Sequence, residues 1–177
     1  TARVVRQLLV DGSSATGVAE AAEVVARAVQ RLAGTSRSAA YLLDADDRVE
    51  EVRHVDWAED HKQVIQQQLV GRPGAEVPLW RLTAEQKAPV FVEDTTASDL
   101  LDPRLCEALD LASYVSVPLM SGDRLRGLVV SGAVGTARSW SPSVRDAVRQ
   151  VTLEGSLVVE NAELRAAAQL RLAQLAT

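Results

Sequence analysis

Two histidines, one cysteine and a sparse set of aromatic side chains are the residues with chemistry to offer in this 177-residue chain. His61 lies on an apolar helical stripe with Trp57 and Val64. One axial imidazole so placed can hold haem iron. The same pattern describes a half-buried, hydrogen-bonded histidine, and that plainer reading carries more weight. His54 stands in a charged segment and reads as surface. Cys106, in the first turns of a predicted helix, is a redox sensor only if it is exposed and its pKa lowered. Otherwise it is a small apolar residue against the core. A ligand pocket needs rigid apolar walls and a few polar groups. Tyr41, Phe91 and Tyr114 fall on candidate strands, and Trp80 on a segment able to close over them. Ser116 and Ser131 could add hydroxyls. These residues and Cys106 form the candidate ligand-binding set, although each taken singly is better explained by core packing. Trp140 reads as a plug at the base of the last helix.

Other chemistry finds no footing. The glycines of Gly71–Gly74 and Ser131–Gly135 lack the strand–loop–Lys context of a phosphate cradle. No nucleophile elbow and no metal-type His/Cys spacing occur, and the acidic run Asp44–Asp47 reads as a turn. No catalytic residue and no metal are expected. The net charge is −5, with both signs interspersed. That excludes the clustered basic patch a nucleic-acid partner needs. No apolar run is long enough to cross a bilayer, and no signal peptide is expected. A lone cysteine suits a reducing cytoplasm, which is the expected location. The chain opens on Thr1 and stops inside a helical pattern. The expectation is an excised piece of a longer protein.

Positioning these residues requires a sheet with helices around it. Apolar spacing predicts a short helix over 1–10, broken by Asp11-Gly-Ser-Ser, and a second from Gly17 to Ala33, stopped by Gly34. Ser38–Asp44 is apolar on both faces, as a central strand is. Arg48–Asp56 is more charged and belongs near an edge. Trp57 to Leu69 and Pro78–Lys87 are helical, Pro89–Glu93 is a short strand, and Thr95–Leu101 is polar loop. Asp102-Pro103 opens another helix as cap and first-turn proline. Tyr114–Met120 and Leu125–Val134 form a hairpin about Ser121–Arg124, with a bulge or unpaired position expected at Pro118. Ser141-Pro142 starts the last helix. The pattern is α+β.

This order of elements resembles the GAF domain family. The likeness is carried by RSAAYLLDADDRV (Arg37–Val49), APVFVEDTTAS (Ala88–Ser98), DPRLCEALDLASYVSVPLMSGDRLRGLVVSG (Asp102–Gly132) and WSPSVRDAVRQVTLEGSLVVENAELR (Trp140–Arg165). It covers about Val18 to Arg165. The resemblance implies a central antiparallel sheet, with a small-molecule pocket on one face and long N- and C-terminal helices on the other. Cyclic-nucleotide-binding members carry an Asn-Lys-Phe-Asp-Glu signature. Here only its aromatic survives, as Trp140, so cyclic nucleotides are disfavoured. Bilin-carrying members use a cysteine whose matching position here is near Leu101. Cys106 falls about a turn and a half later, so bilin is disfavoured too. The cofactor, if any, stays unnamed.

The terminal helix points to the output. Leu157, Asn161, Leu164, Ala168 and Leu175 fall on a heptad-like seam, with Arg171 interrupting it. A polar residue on such a seam fixes register and weakens the pair. The expectation is a homodimer joined through these residues. VENAELRAAAQLRLAQLAT (Val159–Thr177) resembles the signalling helix that runs into a GGDEF diguanylate cyclase domain. The expected organisation is an N-terminal helix and linker over 1–16, a sensory domain over 17–156 and a signalling helix over 157–177, leading to an output domain. The function expected is a non-enzymatic regulatory domain that senses a small molecule or a partner and controls that output, a diguanylate cyclase of cyclic di-GMP signalling. The alternatives are a ligand-free dimerisation module, or a haem or redox sensor, belonging to a histidine kinase or a serine/threonine phosphatase.

Overall fold

A computed structural model describes residues 2–177. Five strands form one antiparallel sheet: β1 (Arg37–Leu43), β2 (Val49–Val55), β3 (Val90–Val92), β4 (Leu111–Ser121) and β5 (Arg124–Val134). Their order across the sheet is β2-β1-β5-β4-β3. The charged strand β2 takes one edge, as its composition requires, and the three-residue β3 takes the other.

Six α-helices cover the two faces. On one lie α1 (Ala2–Ser13), α2 (Val18–Ala33) and α6 (Pro142–Leu175). Val25, Val29, Val148, Val151 and Val159 pack there against Val115 and Val117 of β4. On the other lie α3 (Glu59–Leu69), α4 (Pro78–Gln86) and α5 (Pro103–Ala108). Ile65, Leu69, Leu79 and Leu105 there meet Tyr41, Tyr114 and Leu128. Strand alternation thus feeds two cores from one sheet. Each fully buried Val, Ile or Leu contributes roughly 1.5–3 kcal/mol, and Val25, Ile65, Leu79, Val115 and Leu128 are all completely buried.

The predicted punctuation operates as physics demands. Gly34 adopts φ +64° and closes α2. The Asp102 side chain accepts from Arg104 N at the start of α5, and Ser141 from Val144 N at the start of α6. Trp140 Nε1 donates to Ala33 O at 2.8 Å, tying the base of α6 to the end of α2.

Three local expectations change. Helix α1 runs on through Asp11 and Gly12 to Ser13. Gly12 does not break it, and lies against Val158 of α6, where a Cβ would collide. Strand β4 begins at Leu111, three residues earlier than expected. Pro118 keeps its register opposite Leu128, and the irregularity falls one residue later, between Leu119 and Met120. Leu119 pairs with Gly127 and Met120 with Leu125, which leaves Arg126 as the extra residue of a bulge. Strand β3 ends its pairing at Ser116, so the missing N–H of Pro118 meets no partner strand on that side.

Candidate functional site

The sheet face under α3, α4 and α5 gathers most of the candidate ligand-binding residues. Tyr41 on β1 and Trp80 on α4 pack ring against ring, centroids 5.2 Å apart and planes at 49°. Ser116 on β4 shares a 3.0 Å hydrogen bond with Thr83 of α4, whose hydroxyl also donates to Leu79 O. Tyr114 and Cys106 are buried in the same cluster.

Phe91 and Ser131 are not there. Phe91 pairs with Val115 in register and so turns to the opposite face. It packs 5.6 Å from Trp140, with the Arg145 guanidinium 4.6 Å above its ring. Ser131 also pairs with Val115. Its hydroxyl bonds to Ser38 and Thr35, and Ser38 donates in turn to Gln30 of α2. The physical reason for the Ser131 reversal is the Arg126 bulge. Without the extra residue Ser131 would stand opposite Tyr114; the one-residue shift turns it over. The signal that could have found this is Gly127, a glycine inside a strand, which marks bulges.

The interior between sheet and helices is almost filled. A cavity of about 20 Å³ remains, lined by residues including Tyr41, Trp57, Trp80, Leu105 and Val130, room for about one water. Trp57 Nε1, Trp80 Nε1 and Tyr114 Oη are buried there without a well-formed hydrogen bond. Burial pushes the Tyr41 hydroxyl far up. It does the same to Tyr114, where the nearby Ser98 hydroxyl pulls partly back.

Cys106 is 6% exposed. Burial, and then the Asp102 carboxylate, raise its pKa, so the thiolate a redox sensor needs is disfavoured. His61 is half-buried and meets Trp57 edge-on at 5.7 Å; the adjoining interior offers no space of haem dimensions. His54 is not plain surface: it is half-buried, its Nδ1 is shielded without a partner, and burial followed by Lys62 lowers its pKa, with Glu59 opposing. Among the described residues no group of three His, Cys, Asp or Glu is placed to hold a metal.

A larger, open cleft of about 590 Å³ lies at the hairpin end of the sheet. Leu43, Gly74, Trp80, Ala84 and Leu125 line it, with Asp47, Arg81, Glu85, Asp123 and Arg124 around its mouth. Of its lining only Trp80 stood out by residue type, because the cleft is assembled from the β1–β2 turn, the Gly74–Glu76 turn, α4 and the β4–β5 turn, far apart in sequence.

The seam residues of α6 lie on its free side. Leu157, Leu164 and Leu175 are 54%, 63% and 84% exposed, and Asn161 and Ala168 are exposed with them. The opposite side, Val151, Val158, Val159 and Ala162, is buried against α1 and α2.

The GAF domain model matches residues 15–159. The chain belongs to the GAF domain family. Solved structures agree on the fold. The GAF domain/HD domain protein from Geobacter sulfurreducens superposes with a TM-score of 0.68 at 22% identity, over 84% of this chain and 95% of its own. The GAF domain of the cyanobacteriochrome TePixJ gives 0.67 at 20% identity, over 85% and 94%. The GAF domain of the Acinetobacter phosphoenolpyruvate-protein phosphotransferase gives 0.66 at 15% identity, over 91% and 93%. No match was found among curated proteins. GAF domains are sensory and regulatory modules, and this one is α+β with a five-stranded antiparallel sheet. No helix among the described residues is long and apolar enough to cross a membrane.

Proposed function

We propose that this GAF domain acts as a cytoplasmic homodimer that senses a small molecule or a partner and passes its state along α6 to an output domain. The output of first choice is a diguanylate cyclase, for which the resemblance of Val159–Thr177 to a GGDEF-linked signalling helix is the support. The observation that carries the reading is the two-sided character of α6. As far as Ala162 one side is sealed onto the body, while the other bears the exposed Leu153, Leu157, Leu164 and Leu175. Bare leucines at this spacing match the unfilled half of a helical pair. Asn161 and Arg171 on the same side keep that pair weak enough to hold two arrangements close in energy. The test is sedimentation and light scattering of the chain, with cyclase activity of a fusion as second readout. A monomer at tens of micromolar would overturn the reading.

One observation favours a second reading, a ligand-free dimerisation module serving a histidine kinase or serine/threonine phosphatase. The interior is filled by its own side chains to within about 20 Å³. Native mass spectrometry and thermal shift against a metabolite panel separate the two. A bound or stabilising species supports sensing, and a dimer indifferent to every metabolite supports the module.

A further inference from the structure

Trp80 is the one side chain that walls both the interior void of about 20 Å³ and the open cleft of about 590 Å³. The indole is 1% exposed, packed at a tilt on Tyr41, and Gly74 of the cleft wall lies close to it, where a Cβ would be 3.5 Å from Cε3. Its Nε1 has no acceptor. The cleft in front has the size of ordinary small-molecule sites, roughly 300–1,000 Å³, and its floor is apolar: Leu43, Trp80, Ala84 and Leu125.

The mouth states which molecules the cleft suits. Arg124 is engaged by Asp47 at 3.8 Å and by Asp44 O at 2.8 Å, and Asp123 by Lys87 at 3.3 Å. Arg81 and Glu85, one turn apart on α4, bring one charge of each sign. Three carboxylates, Asp47, Glu85 and Asp123, stand against three cations, Arg81, Arg124 and Lys87, so a charged guest gains no net field. An uncharged guest gains by covering the apolar floor.

We propose that this cleft binds an uncharged, largely apolar molecule of two- or three-ring size, lying between Ala84 and Leu125 over the edge of Trp80. This names a site and a ligand class, and it rests on the sensing reading.

The test is a titration of the whole chain with 2-naphthol, followed by amide and indole N–H resonances, with 2-naphthoate as the charged counterpart. The expected result is saturable shifts at Ala75, Ala84, Leu125 and the Trp80 indole, with naphthoate at least tenfold weaker. Ala84→Trp, which fills the cleft from a half-buried position of α4, should weaken naphthol at least tenfold. Leu125→Trp gives a second block from the opposite wall if that variant folds poorly. Any of four results overturns the proposal: no saturable shift, shifts confined to Ala39 and Leu105, equal affinity for naphthoate, or dilution shifts at Ala84 and Leu125 showing a second copy in the cleft. The titration reads the body alone. A monomeric α6 would sink the dimer reading and leave this result standing, and the reverse holds.

Discussion

Arg126, the extra residue of the β5 bulge, reaches α6 and brings its Nε to 3.3 Å from Glu163 Oε2. Both atoms are shielded, yet they lack the alignment of a hydrogen bond, so the attraction is Coulombic. Arg126 also donates to Leu43 O, and Leu43 lines the open cleft. A bulge re-aims a side chain, and this one aims a cation from the cleft wall to α6 just beyond Ala162, its last buried residue. Arg126→Ala should leave the body folded, with a loss under about 1 kcal/mol, since Glu163 is partly exposed. Amide exchange of residues 163–170 should accelerate severalfold. Unchanged exchange there would show that the pair does not hold the helix.

Leu164→Ala with Leu175→Ala removes exposed apolar surface only. The unfolding free energy of the dilute chain should change by no more than an ordinary surface substitution does, about 0.5 kcal/mol. Self-association should weaken at least tenfold by sedimentation. An unchanged mass at the lowest concentration measured would count against the seam.

Gly155 sits where α6 crosses α2, and a Cβ there would come within 2.9 Å of Val25 Cγ1. Gly155→Val therefore overpacks a fully buried contact and should lower stability by about 1–3 kcal/mol in urea unfolding. Ala167→Val, at an exposed position of the same helix, is the control. Equal effects would mean that the crossing has slack.

Tyr41 keeps its proton in the buried site, its pKa raised from 10.0. Its contribution to stability is therefore complete below pH 10 and declines as pH climbs above it, because only the unfolded chain ionises there. Tyr41→Phe should flatten part of the alkaline loss measured by denaturant titration between about pH 9.5 and 11. An identical slope in both proteins would show that the hydroxyl is hydrated.

His54 carries the opposite sense. Its folded pKa lies below 6.5, so stability is full above that value and falls as pH drops through the folded pKa. His54→Gln should reduce the acid loss between about pH 6.5 and 5. If the variant loses as much as the parent across that window, another group is responsible.

Much of the fold was legible because periodicity and caps are local. The α2 pattern ending at Gly34, the Asp102-Pro103 opening and the charged β2 edge all stand in the structure. What misled was parity. Phe91 is flanked by Val90 and Val92 in a three-residue strand, so both faces look alike and only pairing with β4 decides which way the ring points. Ser131 needed one residue counted at Gly127. The open cleft needed tertiary structure outright, since the β1–β2 turn, α4 and the β4–β5 turn meet only after folding. That Tyr41, Tyr114 and Ser116 share a face with α4 follows from strand positions clear of the irregularities of β1 and β4, and Trp80 faces them from the helix that Pro78 opens.

Arg165 donates from α6 to the carbonyls of Gly12 and Ala15, at 3.1 and 3.2 Å, beside the Gly12–Val158 crossing. The first and last helices are thereby splinted to each other directly. A displacement of α1 therefore has a path to α6 through these contacts that crosses no strand.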